Sequence, residues 1–260
     1  MLIHFEKYQG AGNDFILLDN REGQFSELNN SMIAKMCNRN YGIGSDGIIC
    51  INASEVADFE MKFFNPDGSQ SFCGNGARCS VVFATKLEIP FHQSTFVAFD
   101  GIHKFNYDAK EVSIQMNDVK GITFLNDSSA LLDTGSPHYV VYSEDLSTEN
   151  TVKLGKQIRY SDAYISEGVN VNLIQEVSEN TLRISTYERG VENETLACGT
   201  GATAGALFAA HRNQITEGTL NVIAKGGDLK VKFSRNDQVF TDIWLSGPVE
   251  FVYKGLYSLL

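Results

Sequence analysis

Part of Phe63–Cys79, FFNPDGSQSFCGNGARC, occurs twice in the chain, and this repeat indicates how the chain folds. When Cys73 is aligned with Cys198, each cysteine is followed by Gly-x-Gly-Ala, and a Phe-Ala pair recurs further along both copies. The two copies lie 125 residues apart, from 73 to 198. This spacing predicts two related lobes, each presenting a cysteine in the same local setting.

Around each cysteine the sequence predicts the same succession of strand, polar loop and buried helix. Apolar residues predict strands at Phe59–Phe64 and Leu182–Tyr187, and small residues without proline predict helices at Gly74–Leu87 and Gly199–Arg212. Each cysteine would lie just ahead of a helix, where N–H groups and the helix dipole lower a thiol pKa from about 8.5 toward neutrality. The adjacent glycines would let a carboxylate approach the same N–H groups.

Two such lobes facing each other would place two sulfur atoms on opposite sides of one small carboxylate ligand. That arrangement suits an acid and a base that work on the two faces of a single carbon atom. The other three cysteines, Cys37, Cys50 and Cys79, are predicted to be packed and inert.

Length and composition favour a globular protein of two lobes. The 260 residues would divide into an N-terminal lobe of residues 1–118 with Cys73 and a C-terminal lobe of residues 119–260 with Cys198. The last strand, about 248–260, could return to the first lobe. Twenty-three glycines against four prolines indicate many tight turns. The predicted fold class is α+β, with two pseudo-symmetric lobes of mostly antiparallel sheet.

Charge and cysteine content limit the partners and the compartment. A net charge of −11 without any basic cluster argues against nucleic acid and anionic membrane as partners. The N-terminal MLIHFEKYQG has no apolar signal core, and no later run is long enough to cross a bilayer. Five cysteines, an odd number with no C-x-x-C pair, fit reduced thiols. We therefore expect a cytoplasmic protein without a metal site.

Seven short motifs occur in a specific order along the chain: GAGNDF (10–15), FFNPDG (63–68), CGNGAR (73–78), GSPH (135–138), GVNV (168–171), YERG (187–190) and ACGTGA (197–202). With these motifs the chain, from about residue 3 to its end, closely resembles the diaminopimelate epimerase family. The resemblance implies two lobes, each a β-barrel-like sheet around a central helix. It also implies interconversion of LL- and meso-diaminopimelate without pyridoxal phosphate or any other cofactor, on the route to lysine and peptidoglycan. We also expect a homodimer.

The resemblance also implies roles for residues at the matching positions. The two acid/base residues would be Cys73 and Cys198. The carboxylate at the reacting carbon would be held by Gly74, Asn75, Gly199 and Thr200. The rest of the substrate would be bound by Asn13, Asn65, Asn170, Glu188 and Arg189, with Arg189 gripping the distal carboxylate in a bidentate pair. The pKa values of the thiols would be influenced by His138 and Glu188.

Two positions depart from the pattern of the family. Ser136 stands in GSPH where the family commonly has Asn, and Gly47 follows GIGSD where the family often has Gln. Ser136 loses an amide and Gly47 loses the side chain altogether, so both are left out of the predicted site. These two departures concern how the site recognises the distal end of the substrate.

Three alternatives remain open at this stage. A proline or hydroxyproline racemase would also use two thiols as acid and base. It would have no need of Arg189, since its substrates lack a second charged end. A PhzF-like isomerase would leave the two thiols without a role. A non-catalytic binding or metal module with structural cysteines would not explain why Cys73 and Cys198 recur in the same glycine-flanked frame, and the five histidines offer no ligand spacing beside them.

Overall fold

The computed structural model describes residues 2–108 and 111–258, which form four helices and seventeen strands. The helices are α1 (Asn30–Cys37), α2 (Gly74–Lys86), α3 (Thr148–Arg159) and α4 (Gly199–Arg212). The strands are β1 (Leu2–Gly10), β2 (Asn13–Asp19), β3 (Gly47–Asn52), β4 (Phe59–Phe64), β5 (Thr95–Ala98), β6 (Gly101–Tyr107), β7 (Val112–Gln115), β8 (Thr123–Asn126), β9 (Ser129–Asp133), β10 (Pro137–Tyr142), β11 (Asn170–Ser178), β12 (Thr181–Glu188), β13 (Asn193–Thr195), β14 (Glu217–Ala224), β15 (Gly227–Asn236), β16 (Val239–Gly247) and β17 (Glu250–Ser258).

The chain divides into two compact units. Unit 1 comprises Met1–Ile114 together with Gly247–Leu260, and unit 2 comprises Gln115–Ser246. The C-terminal strand β17 belongs to unit 1 because it pairs antiparallel with β1 along almost its whole length. Within the described ranges, no helix combines the length and the apolar character needed to cross a membrane.

Unit 1 is a mixed sheet whose strand order from one side is β17-β1-β2-β3-β4-β5-β6-β7. The pairs β2–β3 and β4–β5 are parallel, and the others are antiparallel. Each parallel pair is joined through a helix, α1 in the first case and α2 in the second, which is the connection that parallel strands require.

Strands β2 and β3 are buried on both faces, which explains their unbroken apolar sequence. Side chains on one face of these strands, such as Leu17 and Ile49, pack with α2 in one core cluster. Side chains on the opposite face, such as Ile16 and Ile48, pack with α1 in a second cluster. Helix α2 is therefore the central helix of unit 1, and nearly all of its residues from Asn75 to Ala84 are buried.

The turn between β1 and β2 is a two-residue hairpin turn that Gly10 and Asn13 close. Ala11 and Gly12 both have positive φ, 51° and 86°, the combination that a type I′ turn requires. A side chain on Gly10 would meet the carbonyl oxygen of Asn75 at 3.0 Å. The absence of a Cβ at this position lets the hairpin approach the first turn of α2.

Unit 2 repeats this plan. Its pairing runs β8-β9-β10-β11-β12, after which β12 pairs both with the short β13 and with β14, followed by β15 and β16. The parallel pairs are β10–β11, joined through α3, and β12–β14, joined through α4. Helix α4 is central, with ten consecutive residues buried from Gly201 to Ala210. The α+β fold and its two β-rich lobes, each around a central helix, are thus as predicted.

The shorter elements have local causes. Helix α1 begins at Asn30 because Asn29 caps it by accepting from the Met32 N–H. Helix α3 is capped by Ser147 and is partly buried. Strands β8 and β13, of four and three residues, are too short to give a periodic signal in the sequence.

Candidate active site

Both repeated cysteines occupy the N-cap position of the central helix in their unit. Cys73 precedes α2 and Cys198 precedes α4, each with extended backbone angles and each half-buried. The Sγ atom of Cys198 accepts a hydrogen bond from the Gly201 N–H at 3.4 Å and lies 3.4 Å from Thr200 Oγ1. A sulfur atom in this position faces the N–H groups that begin the helix, which favours its thiolate form.

The other three cysteines are core residues, as predicted. Cys37, Cys50 and Cys79 are at most 4% exposed. Burial raises the pKa of Cys50 to about 12 and that of Cys79 well above the range of ordinary thiols. These thiols stay protonated and are unsuited to acid/base chemistry at neutral pH.

In unit 1 the predicted residues Asn13 and Asn75 are in direct contact. Asn75 is 3% exposed and donates from Nδ2 to Oδ1 of Asn13 at 2.5 Å. Asn13 comes from the β1–β2 hairpin and Asn75 from the first turn of α2, so the close approach at Gly10 is what brings them together. Asn75 lies two residues after the N-cap residue Cys73.

Asn65 lies on the loop between β4 and α2. Its backbone closes the NPDG turn by accepting from the Gly68 N–H at 2.9 Å, with Gly68 at a φ of 85°. Its side chain donates to the hydroxyl oxygens of Ser69 and Ser71, both at 3.1 Å. Asn65 therefore braces the loop that leads to Cys73.

Gly47 has no space for the glutamine that the family often has there. An added Cβ would lie 2.3 Å from Cε2 of Phe63 and 2.6 Å from the carbonyl oxygen of Phe64. The ring of Phe63 occupies this space in the core, 5% exposed. The departure at Gly47 is thus a packing feature of this chain.

In unit 2 the hydroxyl of Ser136 joins two predicted residues. Asn170 donates to Ser136 Oγ at 2.9 Å, and Arg189 Nη2 donates to the same oxygen at 3.4 Å. The Oδ1 atom of Asn170 in turn accepts from the backbone N–H of Arg189 at 2.8 Å. Arg189 Nη1 donates to the carbonyl oxygen of Glu167 at 2.8 Å. Ser136, which the prediction left out of the site, is therefore a contact shared by Asn170 and Arg189.

His138 is wholly buried beside Asn170 in the parallel β10–β11 pair. Its Nδ1 lies 3.0 Å from Nδ2 of Asn172, and Nε2 has no hydrogen-bond partner among the described residues. Burial lowers the pKa of His138 to about 3, and the nearby charge of Arg189 acts in the same direction. The imidazole is therefore neutral at physiological pH.

The predicted site does not include Asn172, which lies two positions after Asn170 on β11. Asn172 is fully buried, and its Oδ1 accepts from Thr186 Oγ1 at 2.9 Å. A side chain at Gly201 would lie only 2.3 Å from this Oδ1. Asn172 thus sits directly beneath the first turn of α4, which Cys198 begins.

The diaminopimelate epimerase family model matches residues 5–122 and 130–252. The chain belongs to the diaminopimelate epimerase family. The match covers both N-cap cysteines and every predicted site residue. Members of this family are isomerases, and so is this chain.

Individual diaminopimelate epimerases agree with the family model. The chain is 43% identical over 250 residues to the diaminopimelate epimerase of Flavobacterium psychrophilum, covering 95% of this chain and 97% of that protein. It is 35% identical to the enzyme of Aquifex aeolicus over 276 residues, covering 98% of each chain. The relative from Chlorobaculum tepidum is 37% identical over 260 residues, covering 96% of this chain and 99% of the relative.

Solved structures share the fold at low sequence identity. A PhzF-family phenazine biosynthesis protein from Bacillus anthracis has a TM-score of 0.74 at 14% identity, with 100% of both chains covered. A hydroxyproline epimerase from Agrobacterium vitis has a TM-score of 0.69 at 13% identity, covering 99% of this chain and 93% of that one. At these identities the likeness shows the fold alone, whereas the sequence matches identify the family.

Proposed function

We propose that this chain interconverts LL- and meso-2,6-diaminopimelate by proton transfer between two thiols, those of Cys73 and Cys198. The observation that carries the proposal is that a cysteine occupies the N-cap of the central helix in both units. Inverting a stereocentre requires removal of a proton from one face of the carbon and delivery of a proton to the other. Two acid/base groups do this without any repositioning of the substrate between the steps.

In each direction one cysteine acts as thiolate and the other as thiol. The thiolate takes the α-proton of the substrate and becomes a thiol, while the opposite thiol gives its proton to the α-carbon and becomes a thiolate. The roles then exchange for the reverse reaction. Proton balance is kept within one turnover, since one proton leaves the carbon and one arrives.

General acid/base catalysis of this kind contributes roughly 10²- to 10⁴-fold, which is too little for so weakly acidic a carbon. The remaining stabilisation comes from N–H groups aimed at the carboxylate on the reacting carbon, where negative charge develops. The backbone at Gly74, Asn75, Gly199 and Thr200 supplies these donors. The carbonyl oxygen of Thr200 accepts from Thr134 Oγ1 at 2.8 Å, which anchors this turn in unit 2.

The rest of the substrate is bound by polar side chains, namely Asn13, Asn65, Asn170, Glu188 and Arg189. Arg189 is exposed and provides the charge for the distal carboxylate. Its guanidinium is held through Ser136 and the Glu167 carbonyl, so its direction is set before substrate binds. Ser136 contributes here by orienting other residues.

His138 and Glu188 influence the pKa values of the two thiols. Because its pKa lies at about 3, His138 acts as a neutral group and not as an imidazolium. A neutral histidine stabilises a thiolate by donating a hydrogen bond, without the pH dependence that a titrating imidazolium would bring.

The experiment that tests this function measures racemisation of LL-diaminopimelate and of L-proline by the same enzyme. We expect turnover of diaminopimelate only, and loss of that turnover in Cys73→Ala and in Cys198→Ala, because neither half-site can complete the inversion. Cys73→Ser with near-normal turnover, or proline as the better substrate, would count decisively against the proposal. In the family, this reaction serves lysine and peptidoglycan precursor synthesis.

We also propose that the protein is a cytoplasmic homodimer. Strand β17 exposes a row of large apolar side chains: Phe251 at 47%, Val252 at 52%, Tyr253 at 42% and Leu256 at 57%. A second copy would cover this surface, and analytical ultracentrifugation of Leu256→Glu against the unaltered protein tests it. The cytoplasm supplies the reducing conditions that the thiol chemistry needs.

A further inference from the structure

A chain of hydrogen bonds runs through the two asparagines of unit 1. Arg78 Nη2 donates to Oδ1 of Asn75 at 2.6 Å, and Asn75 Nδ2 donates to Oδ1 of Asn13 at 2.5 Å. Asn13 Nδ2 then donates to Oδ2 of Asp46 at 3.0 Å. Every bond points the same way, from a guanidinium at one end to a carboxylate at the other.

The two ends of this chain determine how the amides must lie. An arginine can only donate, so the atom of Asn75 that faces Arg78 must be its oxygen. An ionised aspartate can only accept, so the atom of Asn13 that faces Asp46 must be its nitrogen. Both constraints give the same orientation of both amides, and flipping either one would break two bonds.

Arg78 is an unusual residue for its place in the fold. It is 0% exposed in the central helix of unit 1, and its Nε has no hydrogen-bond partner in the described part of the chain. No carboxylate among the described residues forms an ion pair with it, and its titratable neighbours are the thiols of Cys73 and Cys79. An apolar side chain of similar volume would avoid the desolvation of this charge. Arg78 donates to Asn75 and, at 3.5 Å, to the carbonyl oxygen of Gly74, so its role lies in holding the first turn of α2.

We propose that Arg78 and Asp46 are positioning residues that fix the amides of Asn75 and Asn13 for substrate binding. The proposal rests on the proposed function, because it takes Asn75 and Asn13 as the residues that hold the substrate. Arg78 has a second effect, since its buried charge lies beside Cys73 and favours the thiolate form of that residue over the thiol. Asp46 completes the orientation from the exposed end, where it also accepts from Arg39 at 2.7 Å.

The first experiment replaces Arg78 with Met, and measures steady-state kinetics and thermal unfolding on the same sample. We expect kcat/KM for diaminopimelate to fall roughly tenfold or more, mainly through kcat, because Asn75 loses its charged donor. We expect the Tm to stay equal or to rise, because a buried charge has been removed. A folded variant with unchanged kcat/KM, or a fall in Tm as the sole effect, would overturn the proposal.

The second experiment works at the exposed end, where the fold tolerates change. Asp46→Asn can keep an oxygen facing Asn13 and the Asp14 N–H. Its amide NH₂ then faces Arg39, so the variant loses both the charge and the acceptor on that side. Asp46→Ala removes the acceptor. We expect Asp46→Asn to retain nearly full kcat/KM, and Asp46→Ala to lose it several-fold through a raised KM. Equal losses of kcat/KM in both variants would show that Asp46 acts only through its ion pair with Arg39. Unchanged kcat/KM in Asp46→Ala would rule out a positioning role for Asp46.

A matched control is Glu27→Ala, which removes an exposed carboxylate elsewhere in unit 1 and should leave the kinetics unchanged. Failure of this inference is distinct from failure of the proposed function. An unaltered enzyme that does not epimerise diaminopimelate defeats the function itself. An active enzyme in which both Arg78→Met and Asp46→Ala behave normally removes only the positioning roles.

Discussion

Asn172 donates from Nδ2 to Nδ1 of His138 at 3.0 Å, and this contact makes His138 the Nε2–H tautomer. The orientation of the amide follows from the carbonyl oxygen of Tyr139, which can only accept and lies 3.2 Å from the same nitrogen. The Oδ1 atom of Asn172 then accepts from the hydroxyl of Thr186 at 2.9 Å. His138 therefore presents a buried N–H donor at Nε2.

Changing this contact should change the protonation of His138. In Asn172→Asp, a carboxylate would face Nδ1, favour a proton there, and raise the histidine pKa from about 3. We expect at least a tenfold loss of kcat/KM, since the proton is drawn to the wrong nitrogen. Two-bond ¹H–¹⁵N spectra of the imidazole, assigned through His138→Gln, give the tautomer directly. Unaltered protein in which His138 titrates near pH 6.5 would contradict the assignment.

The buried histidine also predicts how stability depends on pH. The folded-state pKa of about 3 lies below the unfolded value of about 6.5. Between these values the unfolded chain binds a proton that the folded chain does not. Stability is therefore fully present above about pH 6.5 and declines as the pH falls toward 3, and Asn172→Asp should flatten this decline.

Gly201 should not tolerate even one methyl group. Alanine in place of a helical glycine usually stabilises by about 1 kcal/mol. Here the new Cβ would lie 2.3 Å from Asn172 Oδ1 and 3.3 Å from Sγ of Cys198. We expect Gly201→Ala to cost about 1–3 kcal/mol of unfolding free energy and most of the activity. Gly121→Ala, where nothing lies within 4 Å of the new atom, is the neutral control in urea unfolding.

Ser136 should affect binding more than turnover. Its hydroxyl accepts from Asn170 and from Arg189, and Ser136→Ala removes both contacts without adding volume. The Arg189 side chain would then occupy more conformations before it binds the distal carboxylate. We expect a KM several-fold higher with kcat within about twofold, in line with the loss of one or two modest hydrogen bonds. A fall in kcat with unchanged KM would place Ser136 nearer the chemistry than this account does.

Asp14 should make the protein sensitive to acid. Burial alone would raise its pKa, but hydrogen bonds from Arg39 and Lys7 outweigh that effect and bring the pKa to about 2. The stabilisation is present above about pH 4, the unfolded value, and is lost as the pH falls toward 2. We expect Asp14→Asn to be less stable than the unaltered protein at pH 7 by on the order of 1–2 kcal/mol, with the difference vanishing near pH 2. Asp118→Asn, an exposed carboxylate, should show no such trend in urea titrations.

Much of the fold follows from sequence because its signals are local. The helix at Gly199–Arg212 and the strand at Phe59–Phe64 have the predicted ends, since glycine-flanked caps and alternating residues mark them. The N-cap positions of Cys73 and Cys198 follow from the same local pattern. The family resemblance added the other site residues, which composition and spacing alone would have left as turn or surface residues.

The supporting residues are harder to predict because their partners are distant in sequence. Asp46 contacts Asn13 across 33 positions, and Asn172 contacts His138 across 34. Both contacts depend on strand pairing in register, which no local pattern specifies. Arg78 stands in the sequence as one of two basic residues of the predicted helix, and only its burial and its bond to Asn75 distinguish it from Lys86.

Epimerisation of LL-diaminopimelate in D₂O shows whether two separate thiols serve the two faces of the α-carbon. The thiol that donates exchanges with solvent, whereas the thiolate removes hydrogen from the opposite face. We predict that the first meso product formed carries deuterium at the inverted α-carbon while the remaining LL substrate carries none, as mass spectrometry of early time points would show. Early product that retains the substrate's own hydrogen would mean that one base serves both faces, and would contradict the account.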